Sequence, residues 1–233
     1  MVLRMIAVIH YHGTPITPKI ALESMSGQHF CVSFFRPDNL NRCLSIGQSV
    51  MLDNGAFSCF TRNVPFDLDG FYKWVEPLLA HPHWAVVPDV IGGDVDTQRE
   101  MVKTWRFGKS FGIPVWHLGL PLDYLYELCD DWGKVCLGSS GEFWQVGSPK
   151  WSAKMDETFN ALGRRYNKLP WTHGLRMLGQ GTSDWPLSSA DSTNVALHHA
   201  EHQQCAGCFA KRINSENPPL KWKEKPMQDS LCF

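Results

Sequence analysis

Three carboxylates in this 233-residue chain each follow a short apolar run, a pattern that could bring acidic side chains together at one site. Asp53, Asp89 and Asp191 each end such a run, His117 ends a fourth, and Gly138-Ser-Ser-Gly141 ends a fifth. An Asp in this position is also a common helix N-cap. If strands deliver these side chains to one rim, the three carboxylates can supply a nucleophile, a general acid–base and a group that binds substrate.

The apolar runs alternate with segments of helical spacing along the whole chain. Eight runs have strand composition, at 6–9, 29–35, 49–52, 84–87, 113–116, 134–137, 175–178 and 187–190. Helices are predicted between and after them, at 18–25, 40–46, 67–79, 94–107, 122–129, 151–166 and 194–211. Eight such units favour an α/β fold, a single-domain (β/α)8 TIM-type barrel, with an open doubly wound sheet as the alternative.

In such a barrel the catalytic groups come from the carboxyl ends of several strands. The predicted rim carries acids, histidines and serines, namely His12, Asp53, Asp89, His117, Ser139, Ser140 and Asp191. No linker, internal repeat or low-complexity stretch indicates a second domain. We therefore expect a catalytic barrel over residues 1–212 and a C-terminal extension over 213–233.

Composition and charge favour a reduced intracellular protein. Several of the eight cysteines lie in apolar runs, as buried free thiols do, and no apolar run reaches the length of a membrane span. We expect a cytoplasmic protein, in the host cytoplasm if it is viral, with no membrane partner. The net charge of −1 gives no overall attraction to nucleic acid, so any basic footprint is local, at Lys211, Arg212, Lys221, Lys223 and Lys225.

Five motifs in order along residues 50–195 resemble those of a known family. They are Val50-Met-Leu-Asp53-Asn-Gly-Ala-Phe57-Ser58, Val87-Pro-Asp89, Val115-Trp-His117-Leu-Gly119, Leu137-Gly-Ser-Ser-Gly141-Glu142 and Ser189-Ala-Asp191-Ser-Thr193. Their order and spacing are similar to the strand-end motifs of the tRNA-guanine transglycosylase family. The short chain is more similar to the compact phage and bacterial members that insert 7-deazaguanines into DNA. The resemblance implies exchange of guanine in DNA, or in tRNA, for a 7-deazaguanine base.

The resemblance also implies roles for individual residues. Asp191 would attack C1′ of the target nucleoside, Asp53 would act as general acid–base, and Asp89 would bind the amino edge of the base. A duplex substrate would require extrusion of the target nucleotide. The remaining substrate-binding residues would be Asn54, Gly55, Phe57, His117, Gly138, Ser139, Ser140 and Gly141. His117 stands where the family has Gln, and Asn54 and Ala56 also depart from it, which leaves the incoming base open.

Two further motifs lie towards the C-terminus. His198, His202, Cys205 and Cys208 have the side-chain types of a zinc site, but on one continuous helix they would point in different directions. We therefore predict no catalytic metal or cofactor, and a structural zinc remains the alternative. The last six residues, Gln228–Phe233, read Q-x-x-L-x-F and resemble the peptides that bacterial replication proteins dock into sliding clamps.

Two other functions fit parts of the pattern. A metal-dependent barrel hydrolase could use His10 and His12 on the first strand together with His117 and Asp191. A barrel that binds nucleic acid without catalysis is the third possibility. The choice between DNA and tRNA stays open at this level.

Overall fold

The computed structural model describes residues 8–178, 184–201, 205–215, 219 and 221–226. Within these residues, nine parallel strands form one nearly closed barrel of the α/β class. The strands are β1 Ile9–Gly13, β2 His29–Ser33, β3 Ser49–Asp53, β4 Trp84–Val86, β5 Gly112–Ile113, β6 Val115–His117, β7 Lys134–Gly138, β8 Trp171–Gly174 and β9 Ser189–Ser192. Their order in the sheet is β5-β4-β3-β2-β1-β9-β8-β7-β6.

The barrel closes around Pro114, the single residue between β5 and β6. β5 pairs with β4, and β6 pairs with β7, so the run 112–117 bridges the two ends of the sheet. The carbonyl of Ile113 accepts from Val87 N at 3.0 Å, and the carbonyl of Pro114 accepts from Cys136 N at 2.8 Å. Proline has no N–H to donate, which is why the ladder is interrupted at this residue.

Helices follow most strands and pack around the barrel. They are α1 Lys19–Glu23, α2 Leu40–Ile46, α3 Ala56–Arg62, α4 Leu68–Val75, α5 Val95–Lys103, α6 Leu122–Trp132, α7 Pro149–Arg165, α8 Asn194–His198 and α9 Ala206–Asn214. Among the described helices, four begin at a residue whose side chain accepts a backbone N–H of the first turn: Asp67, Asp94, Ser148 and Cys205.

Alternation along each strand separates two apolar layers. Met51 faces the barrel interior, whereas its neighbours Val50 and Leu52 pack against the helices. In the interior, Trp84 Nε1 donates to the Tyr11 hydroxyl at 2.8 Å, and the two rings meet edge to face. Because both faces are buried, strands such as β3 and β4 are nearly continuous apolar runs. Each fully buried aliphatic side chain here contributes about 1.5–3 kcal/mol of hydrophobic stabilisation.

Six of the eight predicted strands are confirmed to within two residues at each end, the one at 113–116 being divided into β5 and β6, and two predictions, for β1 and β8, were wrong in position. β1 begins at Ile9, where the predicted first strand ends. β8 is Trp171–Gly174, and the predicted strand at 175–178 falls in the turn after it. β9 lies two residues later than predicted. These strands carry His, Thr, Ser and Asp side chains, so apolar composition pointed to the wrong residues.

Two helix predictions also differ from the structure. The predicted continuous helix at 194–211 is two helices, α8 and α9, with residues 202–204 between them outside the described part of the chain. α3 was not predicted, although it begins directly after the Asp53-Asn-Gly55 motif. Gly55 there has φ +81°, a left-handed conformation that glycine adopts without strain, and it turns the chain into α3.

Part of the predicted C-terminal extension packs on α7. The buried Asn160 accepts from Trp222 Nε1 at 2.9 Å and from Lys225 N at 3.0 Å, and its own amide donates to the Lys225 carbonyl at 2.8 Å. Trp222 also packs on Phe159, so the segment 221–226 is an integral part of the outer layer. The predicted clamp motif Gln228–Phe233 lies outside the described residues. None of the described helices is both long and apolar enough to cross a bilayer.

Candidate active site

The carboxyl ends of the strands surround a cavity of about 230 Å³. The structure brings most of the predicted site residues to its wall, namely Asp53, Asn54, Phe57, Asp89, His117, Gly138, Ser139 and Asp191. The predicted residues Gly55, Ser140 and Gly141 are not part of that wall. Gly55 and Ser140 instead contact residues that line the cavity.

Asp191 lies near the end of β9, and hydrogen bonds at one of its oxygens orient it. Its Oδ1 accepts from Arg176 N at 2.9 Å and lies 3.2 Å from His173 Nε2. His173 Nδ1 lies 2.6 Å from the hydroxyl of Ser189, which is two residues before Asp191 in the same strand. With the Ser189 hydroxyl donating to Nδ1, the ring proton is on Nε2 and is donated to Asp191. Among the described residues, none donates a hydrogen bond to Asp191 Oδ2.

Asp89 forms a second aspartate–histidine pair across the joint at which the barrel closes. Its Oδ2 lies 2.9 Å from His117 Nε2, and its Oδ1 accepts from Asn54 Nδ2 at 2.8 Å. His117 Nδ1 lies 3.0 Å from the Ser140 hydroxyl. A Cβ atom at Gly138 would lie 2.9 Å from the His117 ring, so glycine is needed there for the imidazole to keep its place. Both oxygens of Asp89 therefore have a partner.

Asp53, the last residue of β3, is the third acid. Its Oδ2 accepts from Gly55 N at 3.1 Å. The pKa of Asp53 is raised from 3.8 to about 6, mainly by burial and also by the nearby charges of Asp191 and Asp89, against hydrogen bonds from Ser33 and Gly55 N that lower it. At near-neutral pH this carboxyl group therefore exchanges readily between its acid and base forms, which is what a general acid–base requires.

Arg176 and His173 were missed by the sequence reasoning. Both belong to the β8 region, which was predicted four residues too late. The backbone of Arg176 has φ +61°, which is unusual for a residue other than glycine. Its guanidinium lies 4.0 Å from the centre of the Phe57 ring. One useful signal was present in the sequence. His173 lies two residues after Trp171 in a short run before a glycine, so in a strand the two side chains lie on the same face.

His10 and His12 do not belong to the cavity, and the prediction that His12 lies on the rim was wrong. Their ring nitrogens lie 2.9 and 3.1 Å from Asn214 Oδ1 on α9, on the opposite face of β1 from Tyr11. Burial lowers the pKa of both, that of His12 to about 4, so both imidazoles are neutral at physiological pH. The strand places them outward because side chains alternate and Tyr11 faces in.

Four aromatic residues near the strand ends could stack on a base, and they divide by burial. Phe57 lies at the cavity and is 40% exposed, whereas Trp116 and Phe143 are buried in the layer between barrel and helices. Trp144 is 65% exposed, beyond the turn that follows β7. Phe57 is therefore the one of these four aromatic residues that the structure places at the cavity.

The predicted zinc ligands are arranged differently from a metal site. Cys205 and Cys208 form a disulfide at the start of α9, which contradicts the expectation of a fully reduced protein; a Cα separation of 5.2 Å permits the bond. His202 lies outside the described residues. In the part of the chain that the structure describes, no group of three or more His, Cys, Asp or Glu is arranged to hold a metal ion.

Comparison with known proteins adds no assignment. No family model, curated protein or solved structure matches this chain. What the geometry provides is one acid with a raised pKa, one carboxylate with an oxygen that accepts no hydrogen bond from the described residues, and one carboxylate bound at both oxygens, all around one cavity. That set suits displacement at a carbon atom with proton transfer to and from a leaving group.

Proposed function

We propose that this protein is a base-exchange transglycosylase, which replaces guanine in DNA, with tRNA as the alternative substrate, by a 7-deazaguanine base. The observation that carries the proposal is the arrangement of Asp53 and Asp191 around one cavity, where the described residues donate to Asp191 at Oδ1 and not at Oδ2. The resemblance of the five strand-end motifs to the tRNA-guanine transglycosylase family supports the choice of substrate class.

In the first half-reaction, Asp191 Oδ2 attacks C1′ of the target nucleotide and the C1′–N9 bond breaks. The bonding electron pair leaves with guanine, and the protonated form of Asp53 transfers its proton to the departing base. The product is a covalent ester between Asp191 and C1′, together with free guanine. His173 and the Arg176 N–H keep the attacking carboxylate in one orientation.

In the second half-reaction, Asp53 is a carboxylate and removes the proton from the glycosidic nitrogen of the incoming 7-deazaguanine. That nitrogen attacks C1′, the C1′–O bond to Asp191 breaks, and the electron pair returns to the carboxylate. Asp53 ends protonated and Asp191 ends free, as at the start. The cycle therefore needs no oxidant, reductant or nucleotide triphosphate.

Asp89 serves base recognition in this proposal. Guanine and 7-deazaguanine both present N–H donors along the edge that carries the amino group, and a carboxylate is an acceptor with a spare lone pair on each oxygen. Asn54 and His117 each hold one oxygen of Asp89, so its orientation is fixed before the base arrives. His117 has both ring nitrogens engaged and therefore orients Asp89 instead of contacting the base.

We also propose that the nearly closed barrel is of the (β/α)8 type. If β5 and β6 are counted as one strand interrupted at Pro114, the sheet is an eight-stranded (β/α)8 barrel with its site at the carboxyl ends of the strands, as in other enzymes of this architecture. The C-terminal Gln228–Phe233 motif remains a proposed sliding-clamp contact, tested by deleting 228–233 and measuring clamp binding.

The test is incorporation of labelled guanine. Purified protein is incubated with radiolabelled guanine and either DNA or tRNA, and the label retained in each polymer is counted. We expect label in DNA, and label in tRNA alone would change the substrate. If the protein binds both polymers but neither retains label, the result would favour a barrel that binds nucleic acid without catalysis. The metal-dependent hydrolase is disfavoured because His10 and His12 face α9; a chelator-sensitive hydrolysis would restore it.

A further inference from the structure

The inference concerns Arg176, and it rests on the proposed function. The cavity wall carries three carboxylates, which repel a polyanionic strand approaching the mouth. Two arginines also line the cavity. Arg36 pairs with Asp38 at 3.2 Å and both are largely exposed, so its charge is already partly compensated. Arg176 has no carboxylate within ion-pair distance among the described residues.

The side chain of Arg176 is fixed across the mouth of the cavity. Its backbone follows β8, its Nη2 donates to the carbonyl of Ser139 after β7, and its guanidinium stacks on Phe57 of α3. These contacts use one of the five N–H donors of the guanidinium, and the others remain for a ligand. Burial lowers the pKa of Arg176, against the charges of Asp191 and Asp53, which raise it, but an arginine remains protonated under these conditions.

The backbone of the same residue holds the nucleophile, because Arg176 N donates to Asp191 Oδ1. A sugar whose C1′ reaches Asp191 carries its phosphates outward from the cavity, towards the mouth. The left-handed conformation at φ +61° directs the backbone N–H to Asp191 while the side chain crosses to Phe57. A strained conformation retained at a cavity is a feature of functional sites.

We propose that Arg176 is the residue that binds the phosphodiester group of the target nucleotide, and that it makes the enzyme act on a polymer in preference to a free nucleoside. A planar guanidinium matches the phosphate geometry with two parallel hydrogen bonds. The Phe57 ring stacks on the guanidinium and is exposed enough to contact the nucleic-acid strand itself.

The test compares R176Q and R176K with the wild type and with R106Q. Arg106 is a matched control because it is also stacked on an aromatic ring, at 4.7 Å from Tyr72, but lies away from the cavity. Binding of a fluorescent guanine-containing single-stranded oligonucleotide is measured by anisotropy at several salt concentrations, and exchange of labelled guanine is measured in parallel.

R176Q should weaken oligonucleotide binding about ten-fold, corresponding to loss of a charge-assisted contact. It should also reduce the slope of log K against log salt by about 0.7, the contribution of one phosphate contact on a single strand. R176K should recover the slope but only part of the affinity, and R106Q should equal the wild type. KM for the oligonucleotide should rise more than kcat falls, because the backbone N–H to Asp191 is retained.

Two results would overturn the inference. If R176Q binds with the affinity and salt slope of the wild type, Arg176 does not hold a phosphate. If kcat falls while KM and the slope stay unchanged, Arg176 acts through Asp191 alone. Failure of the proposed function has a different signature, since the wild type itself would then transfer no label into DNA or tRNA.

Discussion

Two aspartate–histidine pairs at one cavity have the same connectivity and differ in how the aspartate oxygens are engaged. In each, a serine hydroxyl meets His Nδ1 and His Nε2 meets an aspartate: Ser189, His173 and Asp191 in one, Ser140, His117 and Asp89 in the other. At Asp191 both partners lie at Oδ1, whereas at Asp89 each oxygen has its own. Among the described residues, one oxygen of Asp191 has no hydrogen-bond donor, whereas both oxygens of Asp89 have a partner, which is why we propose Asp191 and not Asp89 as the nucleophile.

The two sets also differ in where their serines lie. Ser189 is fully buried within β9, so its hydroxyl cannot reach a substrate and serves to orient His173. Ser140 is only partly buried and follows β7, so water can reach its hydroxyl. A fully buried set built from adjacent strands suits the proposed nucleophile, whose position must not vary. In the second set, Asn54 and His117 hold Asp89 while the Ser140 end is open to solvent.

The largest expected effect separates the two aspartates directly. Asp191→Asn keeps size and shape but removes the proposed nucleophile, so covalent protein–oligonucleotide adduct should disappear and exchange should fall about 10⁴-fold or more. Adduct is measured as a shifted band on denaturing gels. The exposed Asp123→Asn on α6 is the control and should behave as the wild type. Adduct persisting in the Asp191 variant would assign the nucleophile elsewhere.

Asp53→Asn tests the acid that neither pair contains. Release of guanine in a single turnover should slow by about 10³-fold, the range of general acid–base catalysis, and should lose its decline as pH rises through about 6. Whereas the substitution should slow catalysis, it should increase the stability of the folded protein at high pH. A raised folded-state pKa stabilises the protein fully below the unfolded value of 3.8, and this contribution is lost as pH rises through about 6.

The Asp53→Asn variant has no ionisable group at this position, so it does not lose stability as the pH rises through about 6. At pH near 8 its free energy of unfolding should exceed that of the wild type by about 1–2 kcal/mol, a discounted value because Asp53 is partly solvated. The gap should close as the pH approaches 4. Urea denaturation at the two pH values measures it. Equal stability at both would mean that Asp53 is not held in an environment that raises its pKa.

Asp89→Asn should leave the adduct in place and weaken base recognition. The amide presents an N–H where the base also presents one, so kcat/KM for the incoming base should fall about 10²-fold while adduct formation with a short oligonucleotide, at saturation, changes much less. Quench-flow measurement of the two half-reactions separates these effects. If Asp89→Asn abolishes the adduct as completely as Asp191→Asn, the two pairs do not have distinct roles.

The smallest effects come from the serines. Ser189→Ala leaves a buried imidazole nitrogen unpaired and should lower the free energy of unfolding by about 1–3 kcal/mol. Ser140→Ala exposes the equivalent nitrogen to solvent, which can replace the hydroxyl, so the loss should be within about 0.5 kcal/mol. Thermal or urea unfolding of the matched variants checks the order. The reverse order would show that the second set is the one closed to solvent.

The sequence allowed the barrel class to be predicted because strands buried on both faces are apolar throughout, as at Val50–Leu52. The same rule failed at β8, whose inward residue is a polar histidine paired with Asp191, and at β1, where His10 and His12 face a helix. Burial of polar groups is stable only with partners, and partners from distant parts of the chain are not visible in local composition.

The three aspartates of the site were predicted from the sequence as strand-end residues. The hydrogen-bond partners that give each aspartate a different environment were not predicted. Arg176 lies in a turn whose backbone geometry, not its residue type, directs its N–H to Asp191. Asn54 was foreseen as a ligand residue, yet it donates to Asp89 and to the Val87 carbonyl. Hydrogen-bond direction depends on the tertiary arrangement, so sequence patterns identify which side chains reach the cavity better than what each one does there.

The interruption at Pro114 has a consequence for how a ligand would be sensed. The bond between Asp89 and His117 spans the same joint as the two backbone hydrogen bonds beside that proline. If Asp89 binds a base only while His117 orients it, as proposed, then bound base would disfavour separation of the strands on the two sides of Pro114, and separation would weaken base binding by the same factor. Under that proposal, ligand occupancy and the integrity of the fold would be one coupled equilibrium.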